Sequence, residues 1–171
     1  MAIKVTGYML RDAIKEHELA RDTASAAFDP SLKAFPGDTG AKKTPQEIME
    51  VFLREETIIA KLQVAQMVYN LHVKVNVLGV EMSLGEAIKL VGGLGRAEKM
   101  WKGAIQDRRN SYMDVDVRDP NQVRAERTVT SDECLALARN SGKSASALRA
   151  AIATSNGVVV EFTDLDASFF E

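Results

Sequence analysis

The residues best suited to chemistry form a basic stretch with aromatic and hydroxyl neighbours. From Arg96 to Tyr112 five basic side chains meet only two acidic ones, giving a local charge of +3, and three more arginines follow. Arginine binds phosphate or carboxylate through two parallel hydrogen bonds, and Trp101 or Tyr112 could stack on a base. The predicted anion-binding residues are Arg96, Lys99, Arg108, Arg109, Tyr112, Arg118, Arg124 and Arg127.

The same stretch also has a structural interpretation. It can be a solvated helix face, or its arginines can pair with an acidic tail from a neighbouring subunit. The tail, residues 163–171, carries acids and no bases, and it includes Phe169 and Phe170. Such a segment either frays or docks on a basic, apolar groove. Docking on Arg108 and Arg109 of another copy would explain both features.

Two glycine patterns resemble phosphate-binding loops. Gly142-Lys143-Ser144 matches the end of a P-loop, but Leu137 stands where the first glycine is required, and the segment has a helical pattern. Three glycines precede Arg96 without forming the dinucleotide-binding motif, and no convincing strand precedes them. Close helix packing is favoured for that cluster, which consists of Gly92, Gly93 and Gly95.

Two further patterns favour structural roles over catalysis. Asp114, Asp116 and Asp119 could suggest a Mg²⁺ or Ca²⁺ site. Along a strand, however, Asp114 and Asp116 share one face, so exposure of that face to solvent is the favoured explanation. Cys134 begins a predicted helix, where the dipole favours a thiolate. The sequence places neither histidine, His17 nor His72, beside it, which favours a buried structural thiol.

Composition sets the class of protein that must position these residues. The 171 residues are 46% hydrophobic and 27% charged, as in globular proteins, and the net charge of −2 gives no bulk field for nucleic acid or membrane. A single cysteine is compatible with a reducing compartment, and no apolar run is long enough for a membrane span. We therefore expect a cytoplasmic protein without nucleic-acid or membrane partners, and no cofactor or metal is predicted.

Helical periodicity organises the first half of the chain. A helix is predicted over residues 7–27, followed by a flexible connector over residues 28–43 that is rich in proline and glycine. Thr44-Pro45-Gln46-Glu47 is a capping box that opens a long helix to about Leu71. Its apolar face is wider than one partner helix would cover. With the tail, it supplies the predicted oligomer interface of Phe52, Ile59, Leu62, Tyr69, Phe169 and Phe170.

The second half contains strand and helix signals in turn. Alternating valines before Gly79 predict a short strand or a hairpin, and Ser83 opens a third helix through a second capping box. Alternation over residues 113–129 predicts strands around a turn at Pro120. Thr130 opens a fourth helix that stops at Ser155-Asn156-Gly157, which is predicted to be a C-cap. A short strand then leads into the tail.

The order of these elements is similar to that of the septicolysin-like family of bacterial proteins. The matching stretches are TPQEIMEVFLREETIIAKLQ, VNVLGVEMSLGEAIKLV, ERTVTSDECLALA and SALRAAIATSN. The glycine cluster at 92–95 departs from the family pattern, as does the absence of an arginine pair soon after Glu86, where Lys89 is the only base. The resemblance implies an α-dominated, self-associating protein and brings no established catalytic residue.

These observations predict a mainly α single domain over residues 1–171, with four helices, one of them long, and short β-hairpins or strands. The predicted function is non-enzymatic: a homo-oligomer that binds a small phosphorylated or nucleotide-like anion at basic sites between subunits, as a store, sensor or sponge. The alternative is a structural or scaffold oligomer without a ligand.

Overall fold

The computed structural model describes residues 2–33, 43–106 and 128–170. In chain order, the elements are β1 (Ile3–Val5), α1 (Gly7–Ser31), α2 (Pro45–His72), β2 (Lys74–Val77), β3 (Val80–Ser83), α3 (Leu84–Gln106), α4 (Ser131–Ser155), β4 (Val160–Phe162) and a 3-10 helix (Ala167–Phe170). The strands form two antiparallel pairs, β1 with β4 and β2 with β3. The prediction of a mainly α fold with four helices and short strands is confirmed.

Capping boxes begin three of the helices where the sequence predicted them. At α2 the Thr44 hydroxyl accepts from the Glu47 N–H at 3.2 Å, and the Glu47 carboxylate accepts from the Thr44 N–H at 2.7 Å. The same reciprocal bonds join Ser83 with Glu86 at α3 and Thr130 with Glu133 at α4. Each box satisfies N–H groups that would otherwise have no partner in the first turn.

The first helix is longer than predicted, and this corrects the start of the predicted connector. α1 continues through Pro30 to Ser31, so residues 28–31 are helical. Proline lacks an N–H and removes one hydrogen bond, but its φ suits a helix, and only the last turn is affected. The Ser31 hydroxyl donates to the Phe28 carbonyl at 2.6 Å. Residues 34–42, the middle of the predicted connector, lie outside the described residues.

The chain divides into two compact units. Unit 1 comprises the residues up to Lys74 together with those from Thr154 onward, and unit 2 comprises Val75–Ala153. This division does not test whether the units unfold separately, so the single domain stays a prediction.

Unit 1 is built on the antiparallel pair α1 and α2. The start of α1 lies beside the end of α2: a Cβ added to Gly7 would stand 2.8 Å from the Tyr69 ring and 2.5 Å from the Asn156 side chain. Only glycine permits that approach. The Tyr69 hydroxyl lies 2.9 Å from the Ser155 carbonyl and 2.8 Å from the Val158 carbonyl. These contacts tie the end of α4 to the helix pair.

Unit 2 contains the predicted hairpin followed by α3 and most of α4. Leu78 and Gly79 form its two-residue turn with φ of 55° and 82°. Two consecutive positive φ values match a type I′ turn, whose twist suits antiparallel strands. The second predicted strand region spans residues 113–129, and its residues 113–127 lie outside the described residues.

The end of α4 differs in detail from the prediction. The helix ends at Ser155 as expected, but Gly157 does not adopt a positive φ. Its N–H donates to the Thr154 carbonyl at 3.0 Å, and the Val158 N–H donates to the Ser155 carbonyl at 3.1 Å. The helix therefore ends in a tight turn and not in a left-handed glycine cap.

Candidate functional site

A polar cluster lies between α1 and α2 in unit 1. Glu55 is only 3% exposed although it is charged. His17 Nδ1 lies 2.6 Å from Glu55 Oε2, and Arg54 donates to Glu55 Oε1 at 2.7 Å through Nη2 and 3.1 Å through Nε. Both carboxylate oxygens of Glu55 are therefore hydrogen-bonded.

The two partners of Glu55 keep its carboxyl group ionised. Burial alone would raise the pKa of Glu55, but the hydrogen bonds from His17 and Arg54 outweigh it and hold that pKa below its ordinary value. The cluster is a buried carboxylate between two bases.

The C-terminal segment contacts the cluster through His17. His17 Nε2 lies 3.1 Å from the Phe169 carbonyl oxygen. Lys61 Nζ lies 5.7 Å from the centre of the Phe169 ring, within the range of a cation–π contact. Leu165, at the other end of the segment, is buried. The acidic, aromatic tail thus docks on α1 and α2 of its own chain.

Both ring nitrogens of His17 are engaged by groups of the chain itself. A carboxylate orients His17 as in catalytic dyads. The second ring nitrogen, however, faces a backbone carbonyl and not a nucleophile. Among the described residues, no group of three or more His, Cys, Asp or Glu side chains could hold a metal ion.

Three predicted interface residues point into the chain's own core, which corrects that prediction. Ile59, Leu62 and Tyr69 are at most 3% exposed, beside α1. Periodicity identifies an apolar face but does not identify the chain that covers it. Phe52 is half-buried in a groove that it shares with Phe28 and other residues of α1 and α2.

The tail residues of the predicted interface are half-buried against their own chain, and their place in an oligomer interface stays a prediction. Phe169 contacts His17 and Lys61 of its own chain, and Phe170 is half-buried. The basic residues to which the tail was expected to bind in another copy, Arg108 and Arg109, lie outside the described residues. Docking within the chain already accounts for the aromatic side chains of the tail.

The opposite face of α2 carries a mainly apolar stripe that the sequence analysis missed. Its members recur at alternating intervals of four and three residues, the a and d positions of a heptad repeat. All six are exposed, four of them between 56% and 65%: Leu53, Val64, Met67 and Leu71. The other two are Thr57 and Ala60. These six residues are called the α2 stripe below.

Two of the predicted anion-binding residues lie on the described part of α3. Arg96 and Lys99 are exposed, and neither forms an ion pair among the described residues. The neighbouring Lys102 donates to Glu98 at 2.6 Å, and this bond lowers the pKa of Glu98. Lys102 thus forms an ion pair within α3, whereas Arg96 and Lys99 have no ion-pair partner among the described residues.

The other predicted anion-binding residues are outside the described ranges. They are Arg108, Arg109, Tyr112, Arg118, Arg124 and Arg127. The aspartates considered for a cation site, Asp114, Asp116 and Asp119, also lie there. The structure therefore brings together two members of the predicted set, Arg96 and Lys99, one helical turn apart.

The glycine patterns have structural explanations. Gly142-Lys143-Ser144 lies inside α4, where it cannot form a phosphate loop. The glycines at 92, 93 and 95 lie in continuous helix. A Cβ added at Gly92 or Gly95 would stand 3.7 Å or 3.9 Å from the end of an arginine side chain, and one added at Gly93 would meet nothing within 4 Å. The expected close packing of helix backbones at this cluster is therefore wrong for the described residues.

The predicted structural role of Cys134 agrees with its burial. Its side chain is 1% exposed in the first turn of α4. His17 is engaged by Glu55 and Phe169, and His72 Nδ1 lies 3.3 Å from the Val68 carbonyl of its own helix. Both histidines therefore have partners other than the thiol.

Sequence reasoning missed Glu55, although a signal for it exists. Ile48, Phe52, Ile59 and Leu62 follow the helical repeat of the buried face, and Glu55 occupies the repeat position between them. A charged residue inside an apolar repeat predicts a buried partner. The partners, from α1 and the tail, are too distant in sequence for periodicity to identify.

Comparisons of this chain with protein-family models, with curated proteins and with solved structures found no match. The resemblance to septicolysin-like proteins stays a prediction. None of the described helices combines the length and apolar character needed to cross a membrane.

Proposed function

We propose that the protein is a non-enzymatic homo-oligomer whose subunits join through the α2 stripe. One observation carries this proposal: α2 exposes a heptad stripe on one side while α1 already covers its other side. Residues at the f positions of the same heptad, Glu55, Leu62 and Tyr69, are buried. The stripe is therefore unused by the chain's own core.

The charges beside the stripe favour a second, parallel copy as the partner. Arg54 and Lys61 occupy e positions, and Glu56 occupies a g position. In a parallel pair each g residue meets the e residue five positions later in the partner, so Glu56 would meet Lys61. In an antiparallel pair e positions meet each other, which would bring Arg54 and Lys61 together unfavourably.

The decisive variant is Val64→Glu, which puts a charge in the middle of the stripe. We expect the unmodified chain to sediment as a dimer or a larger oligomer, and Val64→Glu to sediment as a monomer with unchanged helix content. Leu19→Glu is the matched control, because Leu19 is an equally apolar residue of α1 that is 69% exposed. A monomeric unmodified chain at about 100 μM, or loss of assembly in Leu19→Glu alone, contradicts the proposal.

Met67→Cys tests the parallel arrangement. At a d position the two copies of residue 67 face each other in a parallel pair, at a separation that suits a disulfide. We expect a covalent dimer after mild oxidation, and none for the control Leu19→Cys. An oligomer in which Met67→Cys does not cross-link would contradict the parallel arrangement while leaving assembly itself intact.

We further propose that the oligomer binds a small phosphorylated or nucleotide-like anion, with Arg96 and Lys99 among the residues that hold it. What supports this is that both bases are exposed and without ion pairs in the described part of the chain. Native mass spectrometry of the purified oligomer, followed by denaturation, would release such a ligand intact. A ligand-free oligomer, unaffected in melting by phosphorylated compounds, would instead support the scaffold alternative.

The matched variants for the anion are Arg96→Ala with Lys99→Ala, against Lys89→Ala. All three bases are exposed on α3. The double variant should lose any ligand-induced increase in melting temperature, and Lys89→Ala should keep it.

The proposal includes a cytoplasmic location and no nucleic-acid or membrane partner, which the small net charge and the single cysteine support.

A further inference from the structure

Both ring nitrogens of His17 have hydrogen-bond partners. Nδ1 faces the Glu55 carboxylate at 2.6 Å, and Nε2 faces the Phe169 carbonyl oxygen at 3.1 Å. An ionised carboxylate and a carbonyl oxygen accept hydrogen bonds and do not donate them. Both ring nitrogens must therefore carry a proton, so the two bonds exist together only in the imidazolium form.

We propose that His17 is a proton-dependent latch: its imidazolium holds the C-terminal 3-10 helix against α1 and α2, and loss of one ring proton releases that segment. The neutral ring has a single N–H. The ionised Glu55 is the stronger acceptor and keeps that proton, so the bond to the Phe169 carbonyl is the one that fails.

The charged groups around His17 are otherwise paired. On α2, Arg54 binds the second oxygen of Glu55. Glu56 lies 3.4 Å from Arg21 of α1, and Arg21 also binds Asp22. Glu55 is the charged group in direct contact with the ring among the described residues.

The other polar contacts of the segment are few among the described residues. Asp166 directly precedes the 3-10 helix, and its carboxylate accepts from the Ser168 N–H at 3.0 Å within the segment itself. Towards α2, the Lys61 contact with the Phe169 ring is a single cation–π contact. Leu165 is the buried anchor before it. Among the described residues, the bond from His17 is therefore the hydrogen bond that ties residues 166–170 to α1.

Nuclear magnetic resonance of the full chain, labelled with ¹⁵N at histidine and phenylalanine, tests the latch between about pH 5 and 8.5, the range in which histidine changes charge. We expect the amide signals of Phe169 and Phe170 to move with the midpoint of the His17 ring nitrogens. His72, exposed and outside the cluster, provides the internal control and should leave both amides unaffected as it titrates.

Two variants separate the latch from ordinary packing. His17→Phe keeps a ring without donors, so the Phe169 amide should exchange with solvent roughly tenfold faster at pH 6 and lose its pH-dependent shift. His72→Phe should change neither property. The proposal is overturned if His17 keeps both ring protons to pH 8.5, if it titrates without moving Phe169 and Phe170, or if His17→Phe leaves exchange unchanged. The titration uses the unmodified chain, so it stands even where His17→Phe fails to fold.

Discussion

At the scale of single residues, Glu55 occupies a position on α2 that an apolar side chain would ordinarily fill. Burying a carboxylate costs free energy unless it is hydrogen-bonded and paired, and His17 and Arg54 supply those bonds. The net contribution of such a buried pair to stability is small. The loss of one partner is costly because the other is left without a bond. We infer that the cluster fixes the register of α1 along α2.

Acid should weaken this cluster. The folded-state pKa of Glu55 lies below its ordinary value of 4.5, so its contribution to stability is complete above that value and is lost as the pH falls through the folded-state pKa. We expect Glu55→Gln to lower the free energy of unfolding at pH 7 by about 1–3 kcal/mol. The difference from the unmodified chain should shrink below about pH 4.5.

Denaturant unfolding at several pH values measures that difference. Glu50→Gln is the control, because Glu50 is an exposed carboxylate on the same helix, and it should change stability little at any pH. A Glu55→Gln deficit that stays constant from pH 7 to pH 3 would show that the carboxylate charge contributes nothing.

At the scale of elements, the turn between β2 and β3 places a residue in an unfavourable conformation. Leu78 has a φ of 55°, a conformation that asparagine tolerates better than leucine, and its side chain is 80% exposed. It therefore loses little contact when replaced. Gly79, at φ 82°, already has the residue type that the turn favours.

Leu78→Asn should stabilise the protein by about 0.5–1 kcal/mol, because Asn-Gly is the preferred pair for a type I′ turn. Thermal unfolding followed by circular dichroism would show the increase in melting temperature. Gly79→Ala is the opposing control and should destabilise by a similar amount. A decrease for Leu78→Asn would mean that the exposed leucine makes a contact that the turn geometry does not reveal.

The helix starts and the contacts between helices also show which parts of the fold could be predicted from the sequence. The starts of α2, α3 and α4 were predicted because a capping box is local, with all its atoms within four residues. The site was predicted less well, since Glu55 and Phe169 depend on partners far away in the sequence. Ile59 and Leu62 were recognised as apolar but assigned to the wrong neighbour, because periodicity does not distinguish α1 from a second copy.

At the scale of the whole molecule, the boundaries of the two units fall inside elements and not in linkers. One boundary follows Lys74, in β2, and the other follows Ala153, in α4. Domains that unfold separately are ordinarily joined by exposed linkers with few contacts across them. A shared strand and a shared helix favour joint unfolding, in line with the predicted single domain.

Calorimetry at fixed protein concentration should therefore show one transition, with equal calorimetric and van't Hoff enthalpies. Tyr69→Phe changes unit 1 and Leu148→Ala changes unit 2, and Leu148 is 2% exposed. Each variant should move the single transition as a whole, Leu148→Ala by the larger amount since it removes buried apolar volume. Two peaks that respond separately to the two variants would contradict the single domain.

The pairing of β1 with β4 imposes an order of events during synthesis. Val5 opposes Val160, so the first strand has no partner until about 155 more residues have left the ribosome. Tyr69 likewise waits for Ser155 and Val158. At typical rates of translation, residues 75–153 take roughly 4–16 s to make. Throughout that interval the α1–α2 pair lacks its contacts with the residues from Ser155 onward. A chaperone that shields apolar surface would therefore be most useful during this interval.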